Sequence, residues 1–399
     1  MIVYGSSDDS RYLPSTGSGF DGVVLVSSNG YYGTGSLLYN GRAVITAAHL
    51  FMNSSNQTAN VQFQTSQGTQ TLSASSVQLH PNYDSVNNNN DLAIVWLSTL
   101  APSAANRYAL YRDSNELGST LTLVGYGDRG TGNTGATLDN TNATRVMAYN
   151  QADMDAGALK SQLGNVMGWI PTPQTQFIAD FDNGSRYNDA LGQLAGVYGL
   201  GLGINEGLIA PGDSGGPAFI NGALAGVASY SSSLSTYRVN PDIDSQANNS
   251  FGEIAAWQKV SYYQQWLDQS IRAQYTNAPT SPDRVQKQVN EGDSGLSYAY
   301  FLLQFTGVRT DPNQWLSVEY NTRDGSASAG QDYIAQQGRL VLYPGENQAV
   351  VAVEIIGDNL AEANETFYLD VYNPVGGSFG AGVSQLSAMR TFMNDDWLG

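Results

Sequence analysis

Pro211-Gly-Asp-Ser-Gly-Gly-Pro217 decides the reading of this 399-residue chain. Glycine and proline at this density interrupt helices and strands and write a tight turn. Glycine also permits backbone angles that other residues resist. Successive N–H groups around Ser214 can therefore aim at one point, which is what an oxyanion hole requires. Gly212 and Ser214 are the expected donors. A nucleophilic serine needs a base of near-neutral pKa, usually an imidazole. The chain has 2 histidines, so the choice is short. His49 closes Val44-Ile-Thr-Ala-Ala-His49, a strand that ends in small residues. His80 lies in Leu79-His-Pro-Asn-Tyr83, which reads as a turn with a structural histidine. The base in turn needs a buried carboxylate to hold its tautomer and stabilise the imidazolium. Asp91 precedes the apolar run Leu92-Ala-Ile-Val-Trp-Leu97, where it can sit at a strand start and point inward.

Composition bounds what surrounds these residues. Apolar residues make up 41 % of the chain, enough for a packed core. No apolar run approaches the roughly 18 residues of a membrane span. The formal net charge of -18 argues against nucleic acid and anionic membrane surfaces as partners and favours cations. With 0 cysteines, disulfides and thiolate chemistry are excluded. The sequence opens without a basic stretch followed by an apolar one. A removed leader and a cytosolic location both fit that opening. The low charged fraction of 13 % and the abundance of Ser, Asn, Gln, Gly and Tyr lead us to expect an exported bacterial protein.

Short apolar runs recur between Gly, Asn and Ser clusters: Gly22–Val26, Ala43–Ala48, Leu92–Leu97, Leu121–Gly125 and Ala223–Ala228. This is an all-β pattern. One helix is expected at Ser261–Tyr275, where Tyr263, Trp266, Leu267, Ile271 and Tyr275 share a face. Asn277-Ala-Pro-Thr-Ser-Pro-Asp283 reads as a linker. We expect one domain over 1–277, a linker over 278–283 and a second domain over 284–399. In the second, Leu316, Val318 and Tyr320 alternate with polar residues, as do Phe367, Leu369 and Val371, which suits a sandwich with one wet face.

Thr46-Ala-Ala-His49, Asp91-Leu-Ala-Ile94 and Gly212-Asp-Ser-Gly-Gly-Pro217 together resemble the signatures of the chymotrypsin/trypsin family of serine peptidases, in that family's His, Asp, Ser order. The resemblance covers roughly residues 2–275 and implies two β-barrels with the site between them. It implies a Ser214 nucleophile, a His49 base, an Asp91 orienter and protein or peptide substrates. His80, in the His-Pro-x-Tyr turn, is similar to a strand-connecting turn of the family. Asp213 looks like the carboxylate that pairs with the N-terminal ammonium of mature members. Ile2-Val-Tyr-Gly5 is similar to their first residues, which makes Met1 an obstacle. Either Met1 is lost or this branch acts without insertion. Ser229-Tyr-Ser231 matches the segment that pairs with substrate backbone. Leu208 falls at the expected pocket floor, and Ser231 and Ala255 stand where glycine is common. Together they imply a shallow pocket for an uncharged, small or medium apolar P1 residue.

Between Gly132 and Gly207 the chain departs from the family by a longer interval. There Asp180-Phe-Asp-Asn-Gly184 and Asn188-Asp189 offer alternating oxygens of the kind a hard cation takes. A plain acidic turn is the simpler reading and the one we adopt.

Asn290-Glu-Gly-Asp293, Asp324-Gly-Ser-Ala-Ser-Ala-Gly-Gln-Asp-Tyr333, Leu342-Tyr-Pro-Gly-Glu346, the run Ile356–Phe367 and Asn394-Asp-Asp396 resemble a Calx-β domain, a β-sandwich known for binding calcium at one end. The resemblance implies ligands at Glu291, Asp332, Asp358, Glu362, Glu365, Asp395 and Asp396. Gly357 and Asn394 replace frequent aspartates, which implies affinity suited to extracellular calcium. The fold class expected is thus all-β: a two-barrel chymotrypsin-like peptidase domain followed by a Calx-β sandwich. The function expected is a secreted serine endopeptidase without organic cofactor. A non-catalytic adhesion or matrix-binding protein on a peptidase scaffold, and an esterase with the same triad, are the alternatives.

Overall fold

A computed structural model describes residues 1–52 and 57–396. Contacts divide the chain into two compact units, Met1–Leu38 with Arg42–Gln264, and Tyr39–Gly41 with the chain from Gln265 onward. The units part inside the helix Val260–Arg272. The stretch read as a linker follows that helix and holds a short 3-10 turn at Pro282–Arg284.

In the first unit six strands close a barrel, in the order Val23–Ser28, Tyr31–Leu37, Ala43–Thr46, Ala93–Leu97, Gly68–Leu79 and Asn60–Thr65. Side chains alternate along Asn60–Thr65, with Val61, Phe63 and Thr65 buried. The interior is filled by Val24, Val26, Val44, Phe51, Val61, Phe63 and Val95. Ala93–Leu97 is buried along its whole length, which is why it reads as an unbroken apolar run.

The second half of this unit is a seven-stranded sheet in the order Val146–Gln151, Thr120–Gly125, Pro217–Ile220, Ala223–Ser232, Ile254–Lys259, Gln176–Asp180 and Met154–Asp155. It forms a half-barrel. At one edge Met154–Asp155 is 2 residues long, and Asp155 accepts the Ala158 N–H at 2.9 Å and caps the helix Ala156–Leu163. That helix and Ala190–Ala195 add to the single expected one. Both are short, and both lie in the interval Gly132–Gly207.

A buried cluster joins barrel and sheet. Arg145 Nη1 donates to Asp21 Oδ1 at 3.0 Å and its Nε to the Tyr126 hydroxyl at 3.0 Å, while Nη2 reaches the Gln64 carbonyl. Asp21 Oδ2 accepts the Gly17 and Ser66 N–H groups.

The second unit has a five-stranded sheet in the order Gln288–Asn290, Gln385–Met393, Glu365–Val375, Leu316–Asp324 and Gln337–Leu342, and a two-stranded sheet of Gly295–Gln304 with Gln348–Gly357. Leu316, Val318, Tyr320, Phe367, Leu369 and Val371 all point inward, meeting Phe301, Val351, Val353 and Ile355 in one apolar cluster. Tyr333 and Phe392 stack on Phe367 with ring centres 4.6 Å and 4.9 Å away.

Arg145→Met keeps the volume but strands the Asp21 carboxylate. Urea unfolding of the variant is expected to show a loss of about 3–5 kcal/mol. A loss below about 1 kcal/mol, the scale of an exposed pair, contradicts this role.

Candidate active site and acidic clusters

Asp91 follows directly on a run of four asparagines, Asn87–Asn90. Asn88 and Asn90 adopt φ of 55° and 54°, a left-handed conformation that asparagine tolerates. Asn89 donates to the Ile170 carbonyl at 2.9 Å and accepts the Thr172 N–H at 2.8 Å. Gln176 and Gln258 both donate to the Asn88 carbonyl. The run therefore works as an anchor that fixes Asp91, which is 1 % exposed. Sequence reading missed this role, because the partners of Asn89 lie some eighty residues away.

Three donors converge on Asp91. His49 Nδ1 lies 2.7 Å from Oδ2, the His49 N–H donates to Oδ1 at 2.9 Å, and the Ser229 hydroxyl donates to Oδ2 at 2.6 Å. Burial alone pulls the His49 pKa down, but the hydrogen bond and charge of Asp91 outweigh it and leave the imidazole above its ordinary value. Ser229 thus holds the carboxylate, a role distinct from the substrate-strand position read from sequence.

Ser214 sits in the turn after Ala210, held against the loop that leads to His49. Its carbonyl accepts the Thr34 N–H at 2.8 Å. Gly212 and Gly215 have φ of +90° and +82°. A Cβ on Gly215 would lie 2.0 Å from Thr46 Oγ1 and 2.7 Å from Ala47 N, so only glycine lets these two turns meet. Among the described residues no protein group accepts the Gly212 or Ser214 N–H. The structure thus brings the Ser214 turn, His49 and Asp91 into one region of the unit.

The turn is fixed from below by Asp213, also 1 % exposed. Asp213 accepts the Gly127 and Ala210 N–H groups at 2.8 Å and 2.9 Å. Its Oδ2 lies 2.8 Å from the ammonium of Met1, which also reaches the Asp128 carbonyl. Ile2 and Val3 pair as a strand with Leu208 and Gly207.

The expected substrate-binding residues separate into two groups. Tyr230, Ser231 and Ser232 pair with Ala256, Ala255 and Ile254, and Pro217–Ile220 on the other side pairs only as far as Val227. Ser229–Ser232 therefore keeps one edge without a strand partner among the described residues. The Tyr230 hydroxyl donates to Gln176 and accepts from Trp169; Ser231 accepts from Asn249 at 2.6 Å. Leu208 differs from expectation. It is 0 % exposed and belongs to the apolar cluster that includes Ile2, Phe181 and Trp257. Strand pairing with Ile2 turns it into the core, so it lines no open pocket. His80 packs edge-on to Tyr263 in its turn, with its pKa lowered by burial.

The second unit gathers its acidic residues at one end. Ligand atoms of Glu291, Asp332 and Glu362 lie within 4.8 Å of one another. Burial, then Asp358, Glu362, Asp332 and Asp396, push the Glu291 carboxyl up to about 7. Burial and Asp332 push Glu365 to about 7 as well. Asp395 accepts the Gly292 N–H at 3.1 Å, while Asp396 Oδ2 is buried with no hydrogen-bond partner. Asp293, which sequence reading passed over, adds its charge beside Asp396. In the first unit Asp180, Asp182 and Asp189 form another such group, and all three are buried. The adopted reading of a plain acidic turn does not describe them, since a solvated turn would leave them exposed.

The fold is that of an all-β chain. Residues 14–188 match the family model described as Trypsin, and residues 302–396 match that of the Calx-beta domain. The chain thus combines a trypsin-like serine protease domain with a Calx-beta domain. Among solved structures, the mouse brain serine protease neuropsin is similar at 17 % identity and a TM-score of 0.44, over 63 % of this chain and 94 % of that one. Curated relatives include sodium/calcium exchangers. The Drosophila melanogaster sodium/calcium exchanger Calx is 41 % identical over 66 residues, 16 % of this chain and 7 % of that protein. The human sodium/calcium exchanger 2 is 36 % identical over 111 residues, 25 % of this chain and 12 % of that protein. The chain spans only this small part of either exchanger. Among the described residues no helix is long and apolar enough to cross a membrane.

Asp213→Asn removes the buried charge that faces the Met1 ammonium. Thermal and urea melts are expected to show a loss of about 3–5 kcal/mol. A variant as stable as the parent would mean that the ammonium and Asp213 are not an ion pair in solution.

Proposed function

We propose that this protein is a serine endopeptidase in which Ser214, His49 and Asp91 are the catalytic residues. The observation that carries the reading is the convergence on Asp91, with His49 Nδ1 at 2.7 Å and Ser229 at 2.6 Å, next to a turn whose Gly212 and Ser214 N–H groups are unused by protein among the described residues. Ser214 Oγ attacks the scissile carbonyl as His49 takes its proton. The imidazolium is stabilised by the negative charge of Asp91, which keeps Nδ1 protonated and so fixes the tautomer. The two N–H groups stabilise the oxyanion, and His49 then gives the proton to the leaving amine. Water repeats the cycle on the acyl-enzyme. Substrate backbone adds along the unpaired edge of Ser229–Ser232.

Ser231 and Ala255 pair across adjacent strands, at positions where the resemblance expects glycine. No carboxylate occurs among Ser229, Tyr230, Ser231 and Ala255 to bind a basic side chain. The P1 residue favoured is uncharged and small or medium in size. Cutting of a peptide library mainly after Arg contradicts this assignment.

The Calx-beta domain is proposed to hold calcium through Glu291, Asp332 and Glu362, with Asp358, Glu365, Asp395 and Asp396 around them. The donor set fits a hard cation: all oxygen, crowded, and with Asp396 Oδ2 unpartnered. Bound calcium removes the repulsion that raises these carboxyls. Export from a bacterial cell, where calcium is plentiful, is the setting proposed. Its test is recovery of the protein from culture medium rather than from cells.

Casein hydrolysis tests the activity. Ser214→Ala is expected to lower kcat on the order of 10⁶-fold with the fold unchanged. Equal activity in the folded variant removes the mechanism, and cleavage of small esters without casein favours an esterase. The base acts only when neutral, so kcat/KM falls as pH drops through the His49 pKa. The acid limb is expected above the ordinary histidine value of 6.5 and should move down in Asp91→Asn. A limb unmoved by that change contradicts the pairing. Chelation is expected to lower the melting temperature, by the equivalent of about 2.7 kcal/mol if calcium had stood at a hundredfold its Kd. Identical melts with and without chelator contradict calcium binding.

A further inference from the structure

We propose that Asp180, Asp182 and Asp189 form a second calcium site, inside the trypsin-like unit and separate from the acidic end of the Calx-beta domain. One ligand atom from each lies within 4.8 Å of the others. Opposite ligands of a calcium shell sit about 5 Å apart, so the three fit around one ion. They are held from different elements. Asp180 ends the strand Gln176–Asp180, Asp182 lies in the loop beyond it, and Asp189 caps the helix Ala190–Ala195. Asp180 Oδ2 accepts the Leu191 N–H at 2.7 Å. Asp189 accepts the Gly192 N–H at 2.6 Å and the Gly199 N–H at 3.3 Å.

Asp182 carries the argument. Its side chain is 3 % exposed, and its Oδ1 is buried without any hydrogen-bond partner. Glu206, 1 % exposed, adds a fourth carboxylate alongside, with Oε1 accepting the Asp182 N–H at 2.8 Å. Among the described residues, none of these four carboxylates has a Lys or Arg ion-pair partner. A buried carboxylate without a partner is costly. Burial, then repulsion from neighbouring acids, pushes Asp182 up to about 10. A proton would neutralise one group and still leave the others crowded. One divalent cation can meet the three aspartates together and give the buried Asp182 carboxylate its missing partner.

The donor chemistry selects the ion. Every offered atom is a carboxylate oxygen. The chain has 0 cysteines and 2 histidines, and His49 and His80 are outside the group, so zinc lacks its usual ligands. Magnesium demands near-ideal octahedral geometry and keeps several waters, which a buried set of fixed carboxylates does not favour.

The test uses the full chain carrying Glu291→Gln and Glu362→Gln, which disables the proposed C-terminal site. Equilibrium dialysis against calcium chloride is expected to find about one ion per chain, with a tenfold excess of magnesium failing to displace it. No bound calcium in this chain overturns the proposal. Adding Asp182→Asn is expected to abolish the remaining ion and the rise in melting temperature that calcium causes. In chelator the same variant should melt no lower than its parent, because the amide adds no charge to the metal-free cluster. Retention of the ion or of the calcium-induced rise overturns the proposal. Asp180→Asn provides an independent variant should Asp182→Asn fail to fold, since an amide oxygen can still accept the Leu191 N–H while the ion loses a charged ligand. These readouts involve no peptide hydrolysis, so they stand apart from the proposed triad.

Discussion

The hydrogen bonds that end on Asp91 are the constraint on which the first unit's chemistry depends. His49 reaches it from the loop after Ala43–Thr46, and Ser229 from the strand Ala223–Ser232. One carboxylate therefore ties the closed barrel to the half-barrel at the point where Ser214 lies. A carboxylate so deeply buried is tolerated only when its acceptor sites are filled. Filling them fixes the imidazole, and fixing the imidazole is the precondition for base catalysis at Ser214.

The same unit shows how differently buried acids can be accommodated. Asp21 meets the Arg145 guanidinium, and Asp213 meets the Met1 ammonium together with two backbone N–H groups. Asp91 meets a histidine, whose charge can change during a catalytic cycle. Asp182 meets neither cation nor donor at Oδ1, and its neighbours are acids. Paired acids brace the fold, whereas an unpaired group records a missing partner. In the second unit Asp396 Oδ2 is in a similar position within a crowd of carboxylates. The acidic balance of the chain, -18 in formal charge, is thus partly interior and organised.

Much of this was legible in the residue order. The glycine-rich turn around Ser214, the apolar run after Asp91 and the alternation in Leu316–Tyr320 each encode a local rule that tertiary packing obeys. What escaped depends on partners distant in sequence. The asparagine run before Asp91 reads as a polar loop until Ile170 and Thr172, some eighty residues on, are seen to bond it. The role of Ser229 needs Asp91, at a separation of 138. The family resemblance implies a pocket floor at Leu208, but pairing with Ile2 turns it into the core. Helices as short as Ala190–Ala195 carry too little periodicity to be read, and their caps become meaningful only with the buried acids beside them.

Labelling with a fluorophosphonate, followed by peptide mapping by mass spectrometry, tests the central claim most directly. The reagent is activated only where a nucleophile, a base and oxyanion donors act together. The account predicts one adduct, on Ser214, absent when His49 is replaced by Ala. A folded chain that takes no label, or takes it on another residue, contradicts the account.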